Sequence, residues 1–134
     1  MMTIERKLPR SGTFFFKAAD ARETVVATVE GAPMKGVLAV APLGCGDESS
    51  MTRWTRKKGL LDPLHQHDDH ESVAILLSGK LRMVIDGHEF IAGPGDCWVH
   101  PRGVPHYSEA LEDCVQIEVK SPPIRTWRLP GDPA

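Results

Sequence analysis

Cysteine is scarce and badly placed for either of its structural uses. The three residues, Cys45, Cys97 and Cys114, are odd in number and form no Cys-x-x-Cys pair. That argues against a disulfide framework or a zinc ribbon, suits a reducing cytoplasm, and leaves them as small buried hydrophobes. Long apolar runs are lacking too: no window approaches the ~18–20 apolar residues of a membrane span. The charged stretch from Met1 to Arg10 is followed by no apolar segment of a secretory leader. A cytoplasmic protein with no membrane partner is expected. Charge of one sign is also missing, since the formal net charge is -2 with acids and bases interspersed. Nucleic acid would need a basic stripe, and only Arg53-Trp54-Thr55-Arg56-Lys57-Lys58 gathers positive charge; it reads as a solvated strand end. No helix-turn-helix accompanies it, so no nucleic-acid partner is expected. Nothing repeats at a fixed period.

What the chain does have is punctuation. Twelve Gly and eleven Pro are spread over 134 residues, dividing a length that suits one core into many short segments, the pattern of an all-β domain. Thr13–Lys17, Thr24–Glu30, Lys35–Ala41 (halted by Pro42), Met51–Arg56 and Cys97–His100 read as strands, with one helical turn over Ala18–Arg22. Asp86-Gly87 between Lys80–Ile85 and His88–Ala92 specifies a type I′ hairpin. Val73–Leu77 is continuously apolar, as in a strand buried on both faces. In Asp113–Lys120, Val115, Ile117 and Val119 alternate with Gln116, Glu118 and Lys120, the mark of a half-buried strand. Residues 1–12 read as a polar arm, 13–120 as a β-barrel domain, and 121–134 as a Pro-rich tail lying on the barrel or on a partner subunit.

Chemistry concentrates in Gly59-Leu60-Leu61-Asp62-Pro63-Leu64-His65-Gln66-His67-Asp68-Asp69-His70-Glu71. In an extended strand alternate side chains share a face, so His65, His67, Asp69 and Glu71 lie on one side and His70 on the other. Two imidazoles and a carboxylate are donors for a divalent first-row metal, with a further ligand needed from elsewhere. Gly95-Asp96-Cys97-Trp98-Val99-His100-Pro101-Arg102-Gly103-Val104-Pro105-His106 supplies His106 behind a Pro-x-Gly turn.

Together these stretches resemble the two motifs of the cupin superfamily. The first reads Gly59, five residues, His65, one, His67, three, Glu71; the second reads Gly95, five, Pro101, one, Gly103, two, His106. Two departures stand out. Gly79 lies eight positions after Glu71 where the family has seven, and Ala110 replaces the Asn that often closes the second motif. Counting back from Gly79 puts Ser72 in the Glu position, so the ligand set is three His with Glu71 or three His with water and a nearby Ser72. With Glu71 the extra residue is absorbed as a β-bulge. The resemblance implies a double-stranded β-helix, or jelly-roll barrel, of the RmlC-like type, forming a homodimer. It also implies one divalent transition metal (Fe, Mn, Ni or Zn) on His65, His67, His106 and Glu71.

The other candidates have ordinary readings. His70, His88 and His100 read as structural, with His100 at the pocket mouth as the alternative. Trp54 and Trp98 read as core or rim aromatics that can wall a ligand cavity. Asp68 and Asp69 read as solvated charges, or as groups orienting a ligand imidazole. Cys97 shows no sign of the lowered pKa that a reactive thiolate needs. The resemblance implies a metal-dependent enzyme acting on a small polar metabolite (a keto acid, sugar acid or diketone) by isomerase, lyase or dioxygenase chemistry. Gly95–Pro123 is similar to single-domain cupins of pectin and uronate breakdown. The rival is a non-catalytic binding or sensing cupin.

Overall fold

The computed structural model describes residues 6–133, so the first five residues of the expected arm lie outside it. Its strands are β1 (Thr24–Val25), β2 (Thr28–Val29), β3 (Ala32–Pro33), β4 (Leu38–Cys45), β5 (Ser50–Arg56), β6 (Leu61–His65) and β7 (Glu71–Ser78). There follow β8 (Leu81–Ile85), β9 (His88–Ala92), β10 (Cys97–His100), β11 (His106–Ala110), β12 (Cys114–Ser121) and β13 (Trp127–Arg128). A single 3-10 turn, Ala18–Asp20, falls within the expected helical turn. A six-stranded sheet ordered β1-β4-β5-β12-β7-β10 faces a four-stranded sheet ordered β6-β11-β8-β9, and β13-β2-β3 form a third. Every pairing is antiparallel. This is an all-β jelly-roll barrel, as the spacing of strands and turns predicts. No helix among the described residues is long and apolar enough to cross a membrane.

The hairpin forms as its sequence requires: Asp86 and Gly87 both take positive φ (50° and 76°) between β8 and β9. Gly79 is needed for two reasons, a φ of +95° and a packing space so tight that a Cβ would lie 2.2 Å from the Asp113 carbonyl oxygen. The apolar core is built by Val40, Trp54, Leu76, Leu81, Met83 and Trp127, among others. Trp127 comes from the tail, which packs on the barrel through β13 against β2. Residues 6–8 pair with the same tail, Leu8 N–H donating to the Pro123 carbonyl and Arg125 N–H to that of Arg6.

Several expected elements differ. Thr13–Lys17 is not a strand, and Phe14 and Phe15 are exposed; a run of β-prone residues needs a neighbour to pair with, and this one has none among the described residues. Thr24–Glu30 is split into β1 and β2, which join different sheets. β4 continues through Pro42, because β1 pairs only with Ala39 and Val40 and leaves the missing N–H of Pro42 without a ladder to break.

The largest difference concerns which face is which. Val73, Ile75 and Leu77 of β7 are exposed on the outside of the six-stranded sheet, while Ser72, Ala74 and Leu76 point in. On β12 the buried set is Gln116, Glu118 and Lys120, and the valines and isoleucine face outward. Alternation finds the strand but not the face that the barrel closes over. Arg56, expected in a solvated cluster, is buried for the same reason. Of the three thiols only Cys114 is buried, Cys45 being partly covered and Cys97 exposed.

Candidate metal centre

Three imidazoles meet between the two large sheets. His65 ends β6 and His106 begins β11, and the two are direct register partners; His67 follows two residues on. The ligand nitrogens of His65, His67 and His106 all lie within 4.8 Å of one another, and His67 and His106 are buried. Ring centroids are 4.3 Å apart for His65 and His106 and 5.0 Å for His67 with either.

Local irregularity makes this possible. Asp62 to His65 spans three residues opposite the two from Ser108 to His106, and that bulge at Pro63-Leu64 turns both Asp62 and His65 inward. Past His65 the chain leaves the strand, so parity no longer governs. The loop is fixed instead by Gly103, whose N–H donates to the His67 carbonyl at 2.8 Å. That bond ties the two histidine-bearing stretches together.

The protons sit where a metal needs them. His65 Nδ1 lies 2.7 Å from the Pro63 carbonyl oxygen and His106 Nδ1 lies 3.3 Å from that of Val104. A carbonyl only accepts, so each Nδ1 carries the hydrogen and each Nε2 keeps its lone pair for an ion. Burial pushes the His106 pKa down to about 2, with His100, His65 and His67 adding to the effect. Burial also lowers that of His67, against the pull of Glu30. Converging imidazoles, with His67 and His106 held toward the neutral form by burial, are a donor set for a divalent transition metal.

Glu71 is not brought to this point. It opens β7 on the exposed outer face, and Ser72, 1% exposed, takes the inward position. β7 does carry a bulge before Gly79, near Leu77 where the register with β12 slips. It comes after the inward set is fixed and so leaves Glu71 outside. The Ser72 Oγ is buried with no hydrogen-bond partner among the described residues.

Beside the trio lies a charged wall that parity reasoning missed. Across the six-stranded sheet His100, Ser72, Lys120 and Ser50 form one inward row, and Trp98, Ala74, Glu118 and Thr52 the next. Lys120 Nζ sits 2.7 Å from Glu118 Oε2 and 3.4 Å from His70 Nε2. Burial alone would raise the Glu118 pKa, yet Lys120 and His100 hold it far below the carboxylate range. His70, assigned by parity to the opposite face, is fully buried against His67, and burial with Lys120 lowers its pKa to about 4. Its Nδ1 bonds Asp69 at 2.8 Å, and Arg6 clamps Asp69 and Glu30 from outside. Asp69 thus orients His70 rather than a ligand imidazole, while Asp68 and His88 are exposed. Trp54 lines the cavity and Trp98 supports His100. The signal for this wall was present in β12, where three polar residues at period two are as consistent with a lined cavity as with solvent.

A family model for the cupin domain matches residues 52–119, just over half of the chain. The chain belongs to the cupin domain family. Over 66 residues this cupin is 32% identical to the pectin degradation protein KdgF of Dickeya dadantii (strain 3937), a match covering 48% of the chain and 60% of that protein. The match therefore spans less than two thirds of the relative's length. Among solved structures it superposes on KdgF from Halomonas sp. with a TM-score of 0.69 at 22% identity, covering 84% of this chain and 94% of that one. An RmlC-like cupin from Shewanella frigidimarina NCIMB 400 gives 0.68 at 21% identity, with 83% and 92% covered. These structures share the fold, which hosts many chemistries.

Proposed function

We propose that this cupin is a metal-dependent enzyme that isomerises or ring-opens a small, oxygen-rich anion, a sugar-derived keto acid or uronate. The observation that carries the reading is the charge balance of the cavity. Its lining holds Arg56 and Lys120 against Asp62 and Glu118, together with His65, His67 and His106. Two positive and two negative side chains cancel, so a divalent ion on neutral imidazoles leaves two positive charges for an anionic ligand to meet. When bound, that ion polarises a carbonyl or enolisable oxygen of the ligand as a Lewis acid. The chain's own part is to hold His65 and His106 as Nε2 donors, to bring His67 to them, and to keep the charged wall paired. Imidazoles do not choose among Fe, Mn, Ni and Zn, because affinity alone follows the metal rather than the protein. The name of the curated relative, a pectin degradation protein, supports the sugar-acid class.

The test is turnover of a panel of uronates and sugar-derived keto acids by protein loaded with each of the four metals, followed by NMR. Ring opening or isomerisation that disappears in His65→Ala/His67→Ala supports the reading, and no turnover with any metal overturns it. Oxygen uptake with Fe(II) checks the dioxygenase form. One observation favours a second reading: the enclosed space is only about 30 Å³, room for about two water-sized groups, as in a non-catalytic sensing module. There the same double variant loses thermal stability, with no activity to lose.

A homodimer belongs to the same proposal. Val99, Val73, Val119 and Met51 lie in one register row across the outer face of the six-stranded sheet. Val99, Val73 and Met51 are exposed. A row of exposed apolar side chains on the outer face of a sheet supports burial against a second copy.

A further inference from the structure

Buried polar atoms without partners gather at the cavity. Among the described residues they are Ser50 Oγ, Asp62 Oδ1, His67 Nδ1, Ser72 Oγ, His100 Nδ1 and Thr126 Oγ1. Asp62, His67, His100 and Thr126 line the cavity. Folded proteins leave few such atoms, so a cluster of them around one space marks where bound water, an ion or a ligand completes the bonding.

His100 is the most constrained of the four. It ends β10 with its side chain 4% exposed, and its ring lies against His106 with centroids 4.0 Å apart. Trp98 Nε1 donates to His100 Nε2 at 2.9 Å. An indole N–H is a donor only, so Nε2 must present a lone pair, and the neutral ring must carry its hydrogen on Nδ1. The Glu118 carboxylate offers that hydrogen no acceptor: its Oε1 stands 3.9 Å away on the Nε2 side and its Oε2 is held by Lys120. A purely structural histidine would spend both nitrogens inside the protein. This one keeps a fixed donor unspent on the wall beside the metal trio.

We propose that His100 is a ligand-recognition residue whose Nδ1–H, set in that tautomer by the Trp98 indole, donates to an accepting oxygen of the anion bound beside His65, His67 and His106. The inference rests on the sugar-acid reading of the cavity and sharpens it. A carboxylate or carbonyl oxygen satisfies His100, whereas an ammonium does not. Asp62 Oδ1 accepts, and Thr126 Oγ1 both accepts and donates, so hydroxyl groups satisfy those two. The ligand class is therefore a hydroxylated acid, of which the enclosed space of about 30 Å³ takes only the acid end, the rest lying in the cavity's open mouth.

Two measurements test this on the full chain loaded with zinc, which is diamagnetic. Nitrogen-15 NMR of the histidine rings is expected to show His100 protonated at Nδ1, with the preference lost in Trp98→Phe; a ring protonated at Nε2 in the wild type overturns the proposal. Calorimetry with D-galacturonate as probe is expected to show binding that weakens about tenfold or more in His100→Phe, the effect of one lost hydrogen bond. His100→Asn, whose amide N–H stands near the Nδ1 position, is expected to recover most of that affinity. Zinc content and thermal midpoint of each variant separate loss of recognition from loss of the fold. If wild-type protein binds galacturonate and His100→Phe binds it equally well, the role of His100 is refuted while the sugar-acid reading stands. If wild-type protein binds none, that reading falls and this inference with it.

Discussion

Replacing Lys120 with methionine should damage the fold out of proportion to the size of the change. Its ammonium lies 2.7 Å from Glu118 Oε2, and the two side chains are 2% and 8% exposed. Methionine keeps most of the volume and removes only the charge, leaving a carboxylate inside the barrel with no adequate counter-charge. Breaking a buried pair from one side costs about 3–5 kcal/mol, a large share of the roughly 5–15 kcal/mol that holds a domain together. Removing both charges in Lys120→Met/Glu118→Gln should restore stability to within about 1 kcal/mol of wild type. Urea unfolding of chelator-treated protein, followed by tryptophan fluorescence, reads all three states without metal linkage.

Acidity sharpens the test. In wild-type protein the Glu118 carboxyl is held far below its ordinary value of 4.5, so its contribution is complete above that pH and is lost as pH falls toward the folded value. In Lys120→Met burial dominates and raises the pKa instead, so the penalty is relieved as the carboxyl takes up a proton. The gap between the two proteins should therefore narrow from pH 7 toward pH 4. A single-variant deficit under about 1 kcal/mol, or a gap that widens on acidification, would refute the account of the charged wall.

The remaining expectations concern the metal, the histidines and the outer face. His65→Ala and His106→Ala should each strip most bound metal from purified protein, by elemental analysis, whereas Glu71→Ala should leave the content unchanged because that side chain faces solvent. Metal-free protein should lose stability as pH drops below 6.5, since burial lowers the pKa values of His67, His70, His100 and His106 while the unfolded chain takes up protons. The slope approaches about 1.4 kcal/mol per pH unit for each imidazole, and urea midpoints at pH 7 and 5.5 measure it. Val73→Glu, placed in the exposed row beside Val99 and Val119, should convert a dimer to monomer by light scattering, and an unchanged mass would show that the face is not an interface.

How far these elements could be foreseen depends on whether a residue's fate is decided locally. Asp86-Gly87 needs only its own two positive φ values to turn the chain, and the hairpin stands where expected. Gly59, Gly95 and Gly103 also take positive φ, so the turns that space the histidines are visible as glycines. Thr13–Lys17 has equally good β-propensity, but a strand exists only if a partner arrives, and that is settled elsewhere in the chain.

The site divides along the same line. His65, His67 and His106 are placed by turns of fixed length, so spacing finds them. Glu71 fails because an extended reading from His65 to Glu71 assumes an unbroken strand, whereas β6 ends at His65 and β7 begins anew at Glu71. Across that break period-two counting carries no information, and one residue of slip exchanges Glu71 for Ser72. The inversion of β12 has a more general cause. In a solid sandwich the more apolar face turns inward, so Val115, Ile117 and Val119 would be expected inside. A barrel that lines a cavity with Gln116, Glu118 and Lys120 reverses the rule at one end. It remains folded because every charge in that wall has an opposite partner, Arg56 with Asp62 at 3.6 Å and Lys120 with Glu118 at 2.7 Å.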